Sequence, residues 1–166
     1  MKRTPLAKGS KTLKRSGFKR KVTLPTLKRT TGANCPKKRK VKSPLQKLKA
    51  QLWELCKNIT RKQYGNICYT CNKGGLGKGN WQTGHFISSS ICSTELRYDL
   101  QNLRPQCYNC NINKSGNWLA YEQHLIKDGV DIDILKQKNE KTKNLMYREE
   151  WYEQKIKAYQ AILGTI

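Results

Sequence analysis

Four cysteines in two pairs constrain this chain more than anything else in it. Cys68-Tyr-Thr-Cys71 and Cys107-Tyr-Asn-Cys110 stand thirty-five residues apart. A Cys-x-x-Cys turn aims two thiolates at one tetrahedral metal, and a second such pair completes the four-sulfur shell of a structural zinc. A disulfide framework suits cysteines clustered two apart poorly, and no secretory leader is recognisable ahead of them. The apolar content of the segment is thin, so bound zinc, worth about 10 to 16 kcal/mol in small metal-folded peptides, is expected to be its main staple. Such a shell is closed: it holds a fold and leaves no coordination position for chemistry.

Chemistry is therefore expected from what the zinc positions. Of the two histidines in the chain, His85 lies between the cysteine pairs in Trp81-Gln-Thr-Gly-His-Phe-Ile87, a run whose aromatic and β-branched residues read as a strand. Asp99-Leu-Gln-Asn102-Leu-Arg-Pro105 precedes the second pair, and Asn111-Ile-Asn-Lys114 follows it directly. A lone histidine is more often structural than catalytic. The company His85 keeps reverses that reading.

A histidine on a hairpin strand, then Asn-Leu, then Cys-x-x-Cys followed by Asn-x-x-Lys resembles the HNH endonucleases, in the variant whose last ligand is Asn. More narrowly, Leu52-Trp-Glu-Leu-Cys56, Cys68-Tyr-Thr-Cys71, Gly84-His-Phe-Ile87, Leu96-Arg-Tyr-Asp-Leu100 and Asn102-Leu-Arg-Pro-Gln-Cys107 resemble the phage NinG (Rap) recombination proteins. Those are structure-selective nucleases of branched recombination intermediates. The resemblance covers about residues 45 to 140 together with a basic amino-terminal arm, and is most specific from Leu96 to Lys114.

The resemblance implies an α+β fold: a small ββα-metal (HNH, or His-Me finger) core stapled by the four-cysteine zinc site, with flanking helices and a disordered basic arm. It implies His85 as the general base that takes a proton from the attacking water. Asn102 matches the asparagine that orients the histidine or pins the loop through its amide. Asn111 matches a metal ligand, and Lys114, one turn later, a phosphate contact. A single magnesium or manganese ion held by His85 and Asn111 would stabilise the scissile phosphate and the departing oxygen, leaving a 5′ phosphate on the product. Branched DNA and recombination proteins are the implied partners. One departure stands out: many members carry an Asp immediately before the histidine as a metal ligand, and here that position is Gly84. Either His85 and Asn111 hold the cation with waters and the substrate phosphate, or a carboxylate such as Asp99 or Glu95 comes in from elsewhere.

Charge is distributed very unevenly. Residues 1–50 hold 18 of the 34 Lys and Arg and none of the 11 acids, so this arm is +18 and the remaining 116 residues carry only +5. With Gly9, Gly17, Gly32 and Pro5, Pro25, Pro36, Pro44 scattered through it, the arm cannot bury a core and is expected to be disordered until it meets a polyanion. Lys14, Arg15, Lys19, Arg20, Lys21 and Lys37-Lys38-Arg39-Lys40 are the expected DNA contacts there, with Arg104 joining them from the core. Phosphate contacts of this kind give affinity without sequence preference and fall steeply with salt. A solvated tail that only adds solubility is the plainer alternative. Lys37 to Lys40 also matches a short nuclear-import pattern, but phosphate-binding tracts match it equally and nothing else suggests a eukaryotic host. The expected location is the cytoplasm of a phage-infected bacterium.

Three segments follow: an arm over 1–43, a nuclease core with leading helix and zinc knuckles over 44–127, and a helical carboxy-terminal extension over 128–166. Ser43-Pro44 opens a helix whose Leu45, Leu48, Leu52, Cys56 and Ile59 share a face and which Gly65 stops. Trp53 is expected to pack this helix against the stapled hairpin. Cys56 and Cys92 read as buried thiols, Cys35 as unpaired, Lys73 to Gly79 as a turn, Ser88 to Ser90 as a loop able to line a groove, and His124 as a packing residue. Asn117 is expected to cap a helix ending at Asp128-Gly129, followed by helices around Ile132 to Lys138 and Leu145 to Leu163, the last covering the core or joining two subunits. No run is long and apolar enough to span a membrane. A non-catalytic, zinc-stabilised nucleic-acid-binding module is the alternative to the nuclease.

Overall fold

A computed structural model of the protein describes residues 41–77 and 79–166. The expected arm contacts Lys14, Arg15, Lys19, Arg20, Lys21, Lys37, Lys38, Arg39 and Lys40, the expected disorder of the arm, and Cys35 lie outside the described residues.

The leading helix α1, Pro44–Tyr64, starts where the sequence signals it. Ser43 Oγ accepts from the Gln46 N–H at 3.3 Å while Gln46 Oε1 accepts from the Ser43 N–H at 3.2 Å, a reciprocal cap that satisfies two otherwise orphan donors. Gly65 ends it with φ +65, donating its N–H to the Arg61 carbonyl at 2.8 Å. Leu52, Cys56 and Ile59 form its buried stripe.

After the first cysteine pair the chain returns through strand β1, Trp81–His85, then the four-residue helix α2, Thr94–Arg97, and a 3-10 turn over Leu100–Asn102. Strand β2, Leu103–Cys107, pairs antiparallel with β1, from Trp81 opposite Cys107 to His85 opposite Leu103. A π-helical turn, Asn109–Asn113, follows at once, then helices α3, Trp118–Lys127, α4, Ile132–Thr142, and α5, Glu149–Thr165. This is a mixed fold in which helices surround a small two-stranded sheet. None of the described helices is long and apolar enough to cross a membrane.

The buried side chains gather in distinct clusters. Leu52, Cys56 and Ile59 of α1 meet Tyr98, Leu103 and the Tyr152, Ile156, Tyr159 face of α5, so the last helix covers the core. Phe86 and Leu96 meet Tyr121 and Leu125 of α3 and Leu135 of α4. The third cluster is built from Cys68, Cys107 and Cys110 around Leu76, which is 2% exposed. The turn after the first pair thus plugs the cysteine cluster with an apolar side chain, a role its glycine-rich surroundings conceal.

The carboxy-terminal helices differ in detail from expectation. Helix α4 runs on to Thr142, and α5 begins at Glu149 rather than Leu145, which is 52% exposed. Tyr147 explains the later start: its hydroxyl donates to Glu95 at 2.8 Å, tying the chain to α2 before the helix begins. Asn117 precedes α3 as expected but does not cap it with its side chain. Its backbone is left-handed, φ +48, and its Nδ2 points to the Thr70 carbonyl and Cys110 Sγ instead.

Candidate functional site

Cys68, Cys71, Cys107 and Cys110 converge, their sulfurs all lying within 4.8 Å of one another. Cys71 and Cys107 sulfurs are 3.8 Å apart, matching the edge of about 3.8 Å for a tetrahedron with metal–sulfur bonds of about 2.3 Å. The backbone supports thiolate character there: the Cys107 N–H donates to Cys68 Sγ at 3.2 Å and the Cys110 N–H to Cys107 Sγ at 3.4 Å. Burial raises the Cys68 thiol, but the Cys107 N–H, the Thr70 hydroxyl and the backbone at Cys71 and Thr70 outweigh it and bring it down to about 6, whereas burial pushes the Cys71 thiol up to about 12 and raises Cys110. All-sulfur donors at this spacing fit a structural metal such as zinc.

At the end of β1 away from Cys107, opposite Leu103, stands His85. Its ring stacks on Trp53 of α1, centroids 5.2 Å apart and planes 8° from parallel, as expected for the leading helix against the hairpin. His85 Nε2 lies 3.0 Å from the Arg97 carbonyl oxygen. A carbonyl has no proton to give, so in the neutral ring Nε2 carries the hydrogen and Nδ1 keeps its lone pair. Burial, reinforced by the Arg97 charge, lowers the His85 pKa to about 4.

Asn102 is fully buried and resolves the choice of roles left by the sequence. Its Oδ1 accepts from the Ile87 N–H at 2.8 Å, and its Nδ2 donates to the Ile87 and Leu96 carbonyls, each at 3.2 Å. It pins the loop after β1 to α2; its hydrogen bonds do not reach the His85 ring.

Asn111 sits on the π-helical turn and donates through Nδ2 to Gln82 Oε1 at 3.0 Å, which leaves its Oδ1 available. Asn111 and His85 line one cavity of about 400 Å³, together with Thr83, Ser88, Ser89, Ser115 and Arg97. Of the loop Ser88 to Ser90, expected to be able to line a groove, Ser88 and Ser89 border this cavity. Lys114 is exposed and does not border this cavity. No Asp or Glu borders it either. Asp99 is held by Lys138 and caps the 3-10 turn at the Gln101 N–H, and Glu95 faces Tyr147 and Lys138, so neither expected carboxylate supplies the site.

Two further findings bear on the sequence reading. Arg104, expected at DNA, is 4% exposed; its guanidinium donates to the Leu100, Gln101 and Leu103 carbonyls and lies over the Tyr64 and Tyr69 rings. It is corrected to a structural cation, because a side chain enclosed by two aromatic rings cannot also reach a phosphate. Gly84 is crowded: a Cβ there would collide with Gln106 Oε1, so Gln106 would have to move. An acid before the histidine has no room while Gln106 crosses that position.

Sequence reasoning missed Arg97 and Thr83. Arg97 supplies the carbonyl that fixes His85 and a guanidinium on the cavity wall; only its place in Leu96-Arg-Tyr-Asp-Leu100 hinted at a role. Thr83 Oγ1 is buried at the cavity without a hydrogen-bond partner. An orphan hydroxyl of this kind is costly unless a ligand satisfies it.

Together these features define a small α+β protein whose two-stranded sheet contributes to both a four-cysteine cage able to hold a metal and an acid-free cavity bordered by a histidine and an asparagine. The family model described as Bacteriophage Lambda NinG protein matches residues 8–165, and the chain belongs to that family. It is 37% identical over 59 residues to Protein ninG of Escherichia phage 933W, a stretch covering 36% of this chain and 28% of that one. Over 60 residues it is 37% identical to Protein ninG of Salmonella phage P22, covering 36% and 28% of the two chains. With Protein ninG of Escherichia phage lambda the identity is 36% over 59 residues, again 36% and 28%. The matched stretch thus spans little more than a quarter of each relative's length. No solved structure matches the chain.

Proposed function

We propose that the protein is a metal-dependent DNA endonuclease of the HNH type, acting on branched recombination intermediates during phage DNA recombination. The observation that carries this reading is the fixed tautomer of His85, whose one available lone pair, on Nδ1, belongs to a ring at the wall of a polar, acid-free cavity. A base held neutral is ready to accept a proton from an attacking water at neutral pH. A single lone pair cannot both accept a proton and bind a cation, so the base role is assigned to His85 and metal binding passes to the oxygen donors.

Those donors are Asn111 Oδ1 and, once the enclosed hydroxyl turns towards the cavity, the orphan Thr83 Oγ1. Two neutral oxygens are a weak set for a hard cation, which fits this cavity only when phosphate oxygens and waters complete its shell. When bound with substrate, magnesium or manganese would supply charge stabilisation at the scissile phosphate and the departing oxygen. The chain's own residues do the rest. Arg97 holds the His85 ring, Asn102 fixes the loop behind it, and the four-cysteine cage anchors β2, with which the His85 strand pairs, and the turn that carries Asn111. In this reading the two strands and the π-helical turn after them correspond to the ββα-metal core.

The absence of any carboxylate at the cavity favours a second reading, a zinc-stabilised module that binds nucleic acid without cutting it. Product ends separate the two. Zinc-loaded protein with added magnesium or manganese should nick DNA to leave 5′ phosphates that ligase can reseal, and His85→Ala should bind the same DNA without nicking it. Binding by the wild type with no cleavage under any divalent metal would establish the module instead.

A further inference from the structure

The cavity beside His85 does not end at Arg97. Trp53 and Arg97 also border a second hollow of about 310 Å³, whose remaining wall includes Lys49 on α1, Thr94 and Tyr152. The two hollows adjoin at Trp53 and Arg97, and are taken together as a groove bordered by His85 in one part and Lys49 in the other. No acid borders either part.

The charge along this groove is uncompensated. Arg97 and Lys49 are exposed, and neither forms an ion pair with another described residue. The acids flanking Arg97 in sequence are held elsewhere: Lys138 takes Asp99 and reaches Glu95, and Tyr147 donates to Glu95. Lys49 lies over the face of Tyr152, 5.6 Å from the ring centre, so its ammonium is oriented by an aromatic rather than a carboxylate. Trp53, one face of which stacks on His85, borders both hollows beside these cations. Spaced cations, aromatic walls and no acid are the recognition chemistry of a nucleic-acid strand, whose phosphates and bases alternate along its length.

We propose that this groove is a strand-binding track. Arg97 grips the phosphate beside the bond that faces His85, Lys49 meets a phosphate further along the same strand, and Trp53 lies against the sugar or base between them. A guanidinium suits the first position because its planar fork pairs with phosphate oxygens two at a time, which an ammonium cannot do. The inference rests on the nuclease reading for the bond that faces His85, but the track itself requires only a phosphodiester strand.

The test is nuclear magnetic resonance of the full, zinc-loaded chain titrated with a thymidine trinucleotide, without added magnesium or manganese. The probes are the Arg97 side-chain Nε–H and the Trp53 indole N–H. Both signals should move together and saturate. Arg97→Gln should weaken the Trp53 response on the order of tenfold, as expected for one charge-assisted contact, with Arg97→Lys recovering part of it. Lys49→Gln should weaken both responses by a smaller factor. Both side chains are exposed, so the variants should keep the wild-type spectrum elsewhere. Signals that stay still, or shifts that are the same in Lys49→Gln and Arg97→Gln as in the wild type, would overturn the track. A protein that shows these shifts and cuts no DNA would lose the nuclease reading and keep the track; one that cuts DNA with both probes unmoved would keep the nuclease and lose the track.

Discussion

A hydrogen bond of 3.0 Å from His85 to the Arg97 carbonyl decides which nitrogen of the histidine can act. Burial lowers its pKa from 6.5 to about 4; the hydrogen bond to the Arg97 carbonyl opposes the shift and the Arg97 charge adds to it. Between those values the unfolded chain binds the proton and the folded chain does not, so this group's contribution to stability is whole above pH 6.5 and lost as pH falls towards 4. In the nuclease reading a pH–rate profile should therefore stay level through pH 6.5 and decline only well below it; an acid limb centred at 6.5 would contradict the burial of the ring. Asn102 offers a second test at this scale. Asn102→Ala removes three hydrogen bonds inside the protein, costing about 2 to 4 kcal/mol, to be read from the denaturant midpoint. A cost near zero would mean the loop after β1 is held by other contacts.

The strands and turns show why some of this was legible in the sequence and some was not. Ser43-Pro44, Gly65 and the Leu52, Cys56, Ile59 stripe are local signals, and α1 forms where they place it. The cysteine spacing likewise announces its own geometry, because each turn of two intervening residues brings its sulfurs together without help from distant residues. Arg104, Leu76 and Gly84 depend on partners far along the chain. A motif cannot reveal that Tyr64 and Tyr69 enclose a guanidinium, or that strand pairing lays Gln106 across Gly84. Gln106 is itself tied, Nε2 donating to the Gly116 carbonyl at 2.6 Å and to Thr70 Oγ1 at 3.2 Å, so it does not yield easily. Gly84→Ala should thus destabilise by about 1 to 3 kcal/mol through overpacking. Adding Gln106→Ala should relieve the collision, and a thermal melt in which the double variant is less stable than the sum of the singles would refute it.

For the molecule as a whole, a metal held by the four cysteines should support the buried clusters unequally. The α1–α5 cluster is built from large apolar and aromatic side chains, whereas the cluster around Leu76 consists mainly of the cysteines themselves. Chelation should accordingly open the cysteine pairs and the β1–β2 sheet before it melts α1 against α5, with hydrogen exchange at the Trp81–His85 strand rising first. Equal exchange across both regions would show that the metal is not the local staple. On DNA, the +18 of residues 1–50 predicts an affinity that falls steeply with salt, by about 0.9 log units per log unit of salt for each phosphate neutralised. Junction cleavage is the decisive assay for the nuclease. A labelled four-way junction and its matched linear duplex would be incubated with zinc-loaded wild type or His85→Ala, with and without magnesium or manganese. The account predicts metal-dependent cutting of the junction in preference to the duplex, abolished in His85→Ala with binding retained. Junction binding without cutting under every metal would contradict it.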